Sequence, residues 1–510
     1  MHLDRLHAQH IVYVLLLVAH IAFVWWIRYF PTQDGPSHIY NLVILSDLIN
    51  GGKEWGRFFS YDWQAVPNLG FHIIAYPLLN FFAPFTVEKI FISLYIVLMG
   101  ISVPIFLRTF GKPVLPAAFF LFPVIFNFTL MMGFYSYCIT IPLFLLAFSL
   151  AWQIRNASSF IRFFILNLAS FALFYFHLIP FIVFLIALGW ISITEPDDYK
   201  GKLKKIAILL MEASPSIFLF IVYAKRGVGG YFPDFTYLAS SSRFFGLLAD
   251  LLLFSMYTFS PWQVLFASTV TYIFSILVYL SVKSIYHERR NSKYIAHSDK
   301  ILIFVVLCLI TIYLSAPISF GNGSYFNQRF PWIIYLLLLP LLRFPESVYF
   351  RKYGSIVLAS VVTVFFACNA VILFKQSAKV ELFLSGLNAG LPKGALVMTY
   401  KAETPDAARV DVLLHAASYY GVNKGCVDIG NYELGTELFP TRYKDSVPLL
   451  PSIEEIYYRP ATINFSAYPG IQYLLAWRLD ETGRKVIKEY FNVIYEEDTF
   501  TVWKRRITQS

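Results

Sequence analysis

Charge is what this chain has least of. Only 14% of its 510 residues are Asp, Glu, Lys or Arg, against about 25% in a soluble globular chain. That shortage excludes an ordinary water-soluble fold. Cysteine is scarce as well. Cys138, Cys308 and Cys368 fall inside apolar runs and Cys426 stands alone in the polar C-terminal part, so no disulfide framework is implied. No Cys/His spacing has the form of a zinc site. Internal repeats and low-complexity tracts are lacking too. No cleavable leader is expected: the apolar run from Ile11 to Phe30 is too long, and no small-residue cleavage site follows it.

What is present is apolar. Hydrophobic residues make up 57% of the chain, with 51 Phe and 34 Tyr. They are gathered into many separate runs of spanning or near-spanning length, as in a polytopic membrane protein. Spans are expected at about 11–29, 86–107, 113–128, 132–152, 161–177, 178–194, 206–224, 262–282, 301–318, 330–343 and 354–374, or about 11 in all. The run from Arg243 to Phe259 is broken by Ser240, Ser241, Ser242 and Asp250 and reads as an interfacial or re-entrant helix. Basic residues orient the chain. With a cytoplasmic N-terminus, the inner segments 1–8, 108–112, 153–162, 195–205, 283–300 and 343–353 hold 17 Lys and Arg. The outer segments 31–85, 129–131, 225–243 and 319–329 hold 6. That bias follows the positive-inside rule and accounts for the net charge of +10 without any nucleic acid.

Residues 1–375 are therefore expected to form a transmembrane domain, with 31–85 as a long first outer loop. Two interfacial helices are expected in that loop. One runs from about Pro36 to Asn50, stopped by Gly51-Gly52; the other runs from about Leu69 to Phe82, stopped by Pro84. After Phe374 the character changes. Strand-like Ala395–Met398, Ile471–Trp477 and Thr499–Trp503, with a helix at about Thr482–Tyr490, indicate a small α/β domain over 376–510, outside the membrane.

Ionisable residues at the outer ends of spans are costly to place there and call for a functional explanation. Asp34 and His38 sit in Phe30-Pro31-Thr32-Gln33-Asp34-Gly35-Pro36-Ser37-His38, at or just inside the start of the first interfacial helix. Helix N-termini favour anions, so Asp34 also reads as a plain cap. Asp62 and His72 lie in the same loop, and His177 lies where two apolar runs meet. Tyr325, Asn327, Gln328 and Arg329 precede the tenth span, and Asn127 and Tyr135 flank the turn between the third and fourth. Each has an ordinary alternative: a solvated acid for Asp62, a half-buried helix position for His72, a turn cap for His177, a headgroup anchor for Arg329. The set, an acid with imidazoles and an arginine on one face, argues for a site.

The layout resembles the GT-C class of membrane glycosyltransferases, in particular the protein O-mannosyltransferase and aminoarabinose-transferase branch. Asp34-Gly35-Pro36-Ser37-His38 and its helix are similar to that branch's acidic loop motif and juxtamembrane helix. Pro67-Asn68-Leu69-Gly70-Phe71-His72 through Phe82 looks like its Pro-led second helix. Val87-Glu88-Lys89-Ile90 and Leu107-Arg108-Thr109-Phe110-Gly111-Lys112, bounding one span, are similar too, as are Ser260-Pro261-Trp262 and the soluble domain after the last span. One departure stands out. Many members carry two adjacent acids in the first loop, whereas Asp34 lies between Gln33 and Gly35. No cofactor is certain from the sequence, and a divalent metal stays open but lacks the support of a second acid beside Asp34.

The resemblance implies a donor that is a polyprenyl-phosphate or diphosphate sugar, a lipid, glycan or protein acceptor, and chemistry on the outer face of a bacterial inner membrane. It implies inverting transfer, with Asp34 as general base and His38 beside it. Arg329 is the expected phosphate binder. His72 and His177 would position the acceptor or share the phosphate charge. Asp62, Asn127, Tyr135, Tyr325 and Gln328 complete the expected lining. Two other readings remain open: a transporter or flippase for a lipid-linked sugar, and a non-catalytic relative in surface-polymer assembly. Transporters favour midplane polar residues and inverted repeats, and neither is evident.

Overall fold

The structure, a computed structural model, describes residues 2–506 except 54, 63–65, 195–197, 228–240, 291–295, 318–323, 346, 402–407, 436–438, 446, 448–450, 453–454 and 457–459. Long apolar helices dominate: α1 (His2–Trp26), α4 (Pro84–Thr109), α6 (Tyr135–Gln153), α12 (Pro261–Arg290), α13 (His297–Ser315) and α15 (Val348–Leu384). Between the first two lie α2 (Gly35–Ile49) and α3 (Gly70–Leu78), close to the two interfacial helices expected in the first loop. The remaining membrane-region helices are α5 (Phe128–Met131), α7 (Ser159–Phe176), α8 (Leu178–Thr194), α9 (Tyr199–Glu212), α10 (Ser214–Gly227), α11 (Ser241–Leu253) and α14 (Phe330–Leu338). Among the described residues six helices are long and apolar enough to cross a membrane, or seven if α9 and α10, bent by 68°, are one span. The chain is an integral membrane protein.

The expected number of spans, about 11, exceeds this, for reasons visible in the chain. The stretch expected to span at 113–128 is a 3-10 run over Ala117–Val124 followed by the four-residue α5. Pro116 and Pro123 deny it regular α-helical bonding, and every residue from Ala117 to Gly133 is buried in protein. Irregular backbone at membrane depth is tolerated only where protein surrounds it. The stretch at 330–343 is likewise a nine-residue helix ending in a 3-10 turn at Leu339–Leu341, enclosed by its neighbours. The apolar helices on either side of His177 are short, at 17 residues or fewer in their apolar part.

At the end of the bundle away from Asp34, Asp299 joins three elements. Lys112 Nζ lies 2.8 Å from one of its oxygens and Arg343 Nη2 lies 2.5 Å from the other.

α15 runs for 37 residues, about 55 Å at 1.5 Å per residue, and leads into a five-stranded sheet. Its strands are β2 (Leu396–Lys401), β3 (Val427–Asp428), β5 (Tyr473–Trp477), β6 (Phe491–Glu497) and β7 (Phe500–Arg505), in the order β3-β2-β5-β7-β6. β3, β2 and β5 are parallel, whereas β7 is antiparallel to both β5 and β6. The α/β character read from 395–398, 471–477 and 499–503 is present.

This sheet domain is joined to the first loop by backbone. β1 (Phe59–Tyr61) pairs antiparallel with β4 (Thr441–Tyr443). α2 is the shared wall: Ile39 and Leu42 pack into the membrane core, Tyr40 and Ile44 into the core of the sheet domain. Opposite α2 lies α16 (Ser418–Lys424), where a Cβ on Gly421 would come within 2.2 Å of the Tyr40 ring. Only a glycine permits that approach.

Candidate functional site

Asp34 is the N-cap residue of α2, yet its carboxylate makes no capping bond. The plain-cap reading therefore fails on geometry. The carboxylate turns instead toward the sheet domain. Its Oδ2 accepts a hydrogen bond from Tyr432 OH at 3.3 Å. Its Oδ1 accepts from Gln33 Nε2 at 3.2 Å and lies 3.4 Å from His415 Nε2. Gln33 is held in turn, its Oε1 accepting from the Asp411 amide at 3.2 Å.

The backbone here is fixed from below. The amides of Gln33 and Asp34 donate to Met131 O and Met132 O at 3.0 and 3.1 Å. Gly133, at φ +85°, makes this contact possible: a Cβ there would sit 2.7 Å from Gly35 N and 2.9 Å from Asp34 N. Gly35 is equally confined, a Cβ meeting Thr32 Oγ1, Tyr135 OH and Glu88 Oε1 within 2.8 Å. Tyr135 OH donates to Glu88 Oε1 at 2.5 Å and shares a 2.9 Å hydrogen bond with Thr32.

His38 lies one helical turn after Asp34, and its Nδ1 is 2.9 Å from Glu433 Oε1. The other Glu433 oxygen accepts from Asn41 Nδ2. Asn41 Oδ1 accepts from Asn431 Nδ2 at 3.0 Å, and Asn431 Oδ1 accepts from the Glu433 amide at 3.1 Å. An acid from the sheet domain thus meets the imidazole of α2 inside a closed ring of amide bonds. Glu433 is fully buried and His38 is 7% exposed.

Burial decides the charges. It pushes the Asp34 carboxyl up to about 7, with His38 opposing, Glu433 reinforcing, and the Gln33 and Tyr432 bonds opposing. For His38, burial pulls down, but the Glu433 and Asp34 carboxylates overcome it and hold the imidazole above its ordinary value. Burial prevails at His72, and at His415 despite the opposing Asp411 carboxylate, and pulls each down to about 3. Near neutral pH His72 and His415 are therefore neutral, and His38 is the imidazole that its surroundings push toward the charged form.

A second cluster adjoins the first. The Arg329 guanidinium lies 4.4 Å above the Phe134 ring and within Coulombic range of Asp34 and Tyr432. Its Nη1 is 3.4 Å from His177 Nε2. His177 Nδ1 lies 3.2 Å from the Ile179 amide nitrogen. The guanidinium and the imidazole therefore meet at one point, where Arg329 offers N–H donors to an anionic oxygen.

The structure brings Asp34, His38, His72 and Tyr135 together: the His38 ring is 5.7 Å from that of Tyr135, and His72 is buried within Coulombic range of His38. It brings Arg329 to His177, and sets the Tyr325 ring 6.2 Å from Phe134, under the guanidinium. Asn127 is spent on the cap of α5, its Oδ1 accepting from the amides of Thr129 and Leu130. Gln328 adjoins Arg329, its carbonyl accepting from Ser255 Oγ at 3.4 Å. Asp62 is exposed at the end of β1, its amide on Pro440 O. Sequence reasoning missed His415, Asn431, Tyr432 and Glu433 altogether, and took Glu88 only as the opening of a span. Among the described residues no three His, Cys, Asp or Glu side chains are grouped as a metal would require.

No family model matches the chain, and no curated protein resembles it in sequence. Two solved structures share its fold over nearly the whole length. One is ArnT from Cupriavidus metallidurans bound to undecaprenyl phosphate, at TM-score 0.53 and 10% identity over 97% of this chain and 98% of that one. The other is the same protein in the apo state, at TM-score 0.52 and 9% identity over 96% and 97%. The chain thus shares the overall fold of ArnT.

Proposed function

We propose, from a fold shared end to end with ArnT, that this chain is a membrane glycosyltransferase that takes a sugar from a polyprenyl-phosphate or diphosphate donor. One observation carries the reading. A buried carboxylate, Asp34, is left out of its own helix cap, with its pKa pushed up to about 7, beside the His38 imidazole and an arginine. A general base works best with a pKa near the working pH. Asp34 takes the proton of the acceptor hydroxyl as that oxygen bonds to the anomeric carbon. The bond from that carbon to the donor phosphate oxygen breaks, and its electron pair leaves with the phosphate. The anomeric centre inverts. Arg329, with His177 Nε2 3.4 Å from its Nη1, receives the phosphate oxygens. The donor class is supported by the undecaprenyl phosphate found on ArnT. The orientation is supported by the basic residues, which gather at the end of the bundle away from Asp34. The site then faces outward, above a cytoplasmic N-terminus.

The test supplies membranes holding the chain with radiolabelled undecaprenyl-phosphate sugars and follows label leaving the polyprenyl fraction. Wild-type protein transfers label, and Asp34→Asn transfers it at least about 100-fold more slowly. Arg329→Ala raises the donor concentration needed for half-maximal rate. Asp34→Asn running at the wild-type rate removes Asp34 as base. Wild-type protein that binds undecaprenyl phosphate yet transfers nothing from any such donor favours a carrier over an enzyme.

A further inference from the structure

The sequence offers no second acid beside Asp34; the fold supplies one from some 400 residues further on. Glu433 lies in a 3-10 turn, Tyr432–Gly435, of the sheet domain. Its neighbour Tyr432 bonds Asp34 while Glu433 itself meets His38. One short turn therefore touches both members of the α2 pair. Asn41 and Asn431 occupy the remaining edge of the Glu433 carboxylate and its amide, so the acid has one orientation.

We propose that Glu433 is a positioning residue of the transfer reaction: it holds His38 as an imidazolium against Asp34, so the base is set only when the sheet domain is docked on the first loop. This rests on the reading of Asp34 as base and adds where that base's electrostatic partner comes from. An imidazolium one turn from Asp34 stabilises the ionised carboxylate that must accept the proton. Without a counter-acid, a fully enclosed imidazole loses its proton. His72 shows that outcome in the same site: burial and the neighbouring His38 pull it down to about 3.

Every titratable group facing His38 bears on the argument. Asp34 and Glu433 favour its charge. His72 and His415 lie within Coulombic range of it and are neutral. Glu88 acts from α4, and the Tyr135 ring stands 5.7 Å away. Glu433 is the carboxylate nearest the ring and the one delivered by the sheet domain. Docking and charge are thereby linked: β1 with β4, and the α2 with α16 contact at Gly421, hold the turn against His38.

The experiment titrates the His38 ring by carbon-13 NMR, using full-length protein labelled at histidine and held in nanodiscs. The signal is assigned by its loss in His38→Gln. In wild type the ring titrates above pH 6.5. In Glu433→Gln its midpoint falls below that value, by about one unit or more, and in Glu433→Asp it returns most of the way. The same variants are then run in the undecaprenyl-phosphate-sugar transfer assay across pH. Glu433→Gln moves the alkaline limb of the rate toward acid, while Glu433→Asp restores it; a purely structural role lowers the rate at every pH and moves no limb. A His38 midpoint unchanged in Glu433→Gln overturns the inference and leaves Asp34 as base standing. A shifted midpoint, with Asp34→Asn fully active, instead overturns the base and leaves the His38–Glu433 pair. If Glu433→Gln does not fold, Glu433→Asp and Asn41→Leu, which frees one edge of the carboxylate, give the same readings in weaker form.

Discussion

A carboxylate enclosed by protein resists ionisation, and Asp34 is enclosed on every side. Its folded pKa of about 7 lies above the ordinary value near 3.9. The sign of the linkage follows. The group favours folding fully below about pH 3.9, and that contribution is lost as pH rises through about 7. Asp34→Asn carries no such loss. In detergent, its stability therefore rises relative to wild type between pH 4 and pH 8 by on the order of a few kcal/mol, read as a rising melting temperature. A melting profile parallel to wild type over that range counts against the burial of a charged Asp34. With Asp34 as the proposed base, the wild-type transfer rate is expected to fall as pH drops below about 7, where that carboxylate is protonated. On that reading stability and activity oppose each other at this residue.

At the scale of elements, the position of Asp34 depends on a turn it does not belong to. Gly133, between α5 and α6, passes directly beneath it at φ +85°. Gly133→Ala places a methyl 2.7 Å from Gly35 N, against backbone that cannot move aside. The strain costs about 1–3 kcal/mol, and displacing the carboxylate lowers transfer by more than the loss of folded protein accounts for. Equal losses in transfer and in folded protein would show that the turn supports the fold alone. Such dependence marks the limit of what the sequence discloses. The extents of α2 and α3, and of the last strands, were legible because Gly-Pro and Gly-Gly punctuation and apolar period fix them locally. The site was half legible. Asp34 and His38 could be found because a helix start beside a membrane span is a local signal. His415, Tyr432 and Glu433 could not, because only long-range packing brings a 3-10 turn near residue 433 to residue 34. The stretch expected to span at 113–128 is less regular than its apolar length suggests, for a related reason. Its apolar length looked like a span, but Pro116 and Pro123 turned it into a buried 3-10 run.

The whole molecule is two cores sharing one wall. α2 packs into both, so the membrane bundle and the sheet domain meet along the helix that presents Asp34 and His38. A second clamp lies farther along. Arg409 reaches Asp250 at 2.9 Å and covers the Phe128 ring at 3.9 Å, while its amide donates to Thr258 O at 2.8 Å. Such an arrangement works as an enzyme on one side of a membrane only if the sheet domain and the far end of α6 lie on opposite sides. α6 begins at Tyr135, beside the site, and runs 19 residues, about 28 Å at 1.5 Å per residue, nearly the thickness of the hydrocarbon layer. Ser466, on the sheet domain, and Asn156, just past the end of α6, are both exposed, and Cys138 and Cys426 are buried. In intact cells a membrane-impermeant maleimide labels Ser466→Cys, while Asn156→Cys is labelled only after the membrane is opened. The reverse pattern would put the site in the cytoplasm and turn the basic loops outward, against the charge bias. Labelling of both positions in intact cells would mean that α6 does not cross.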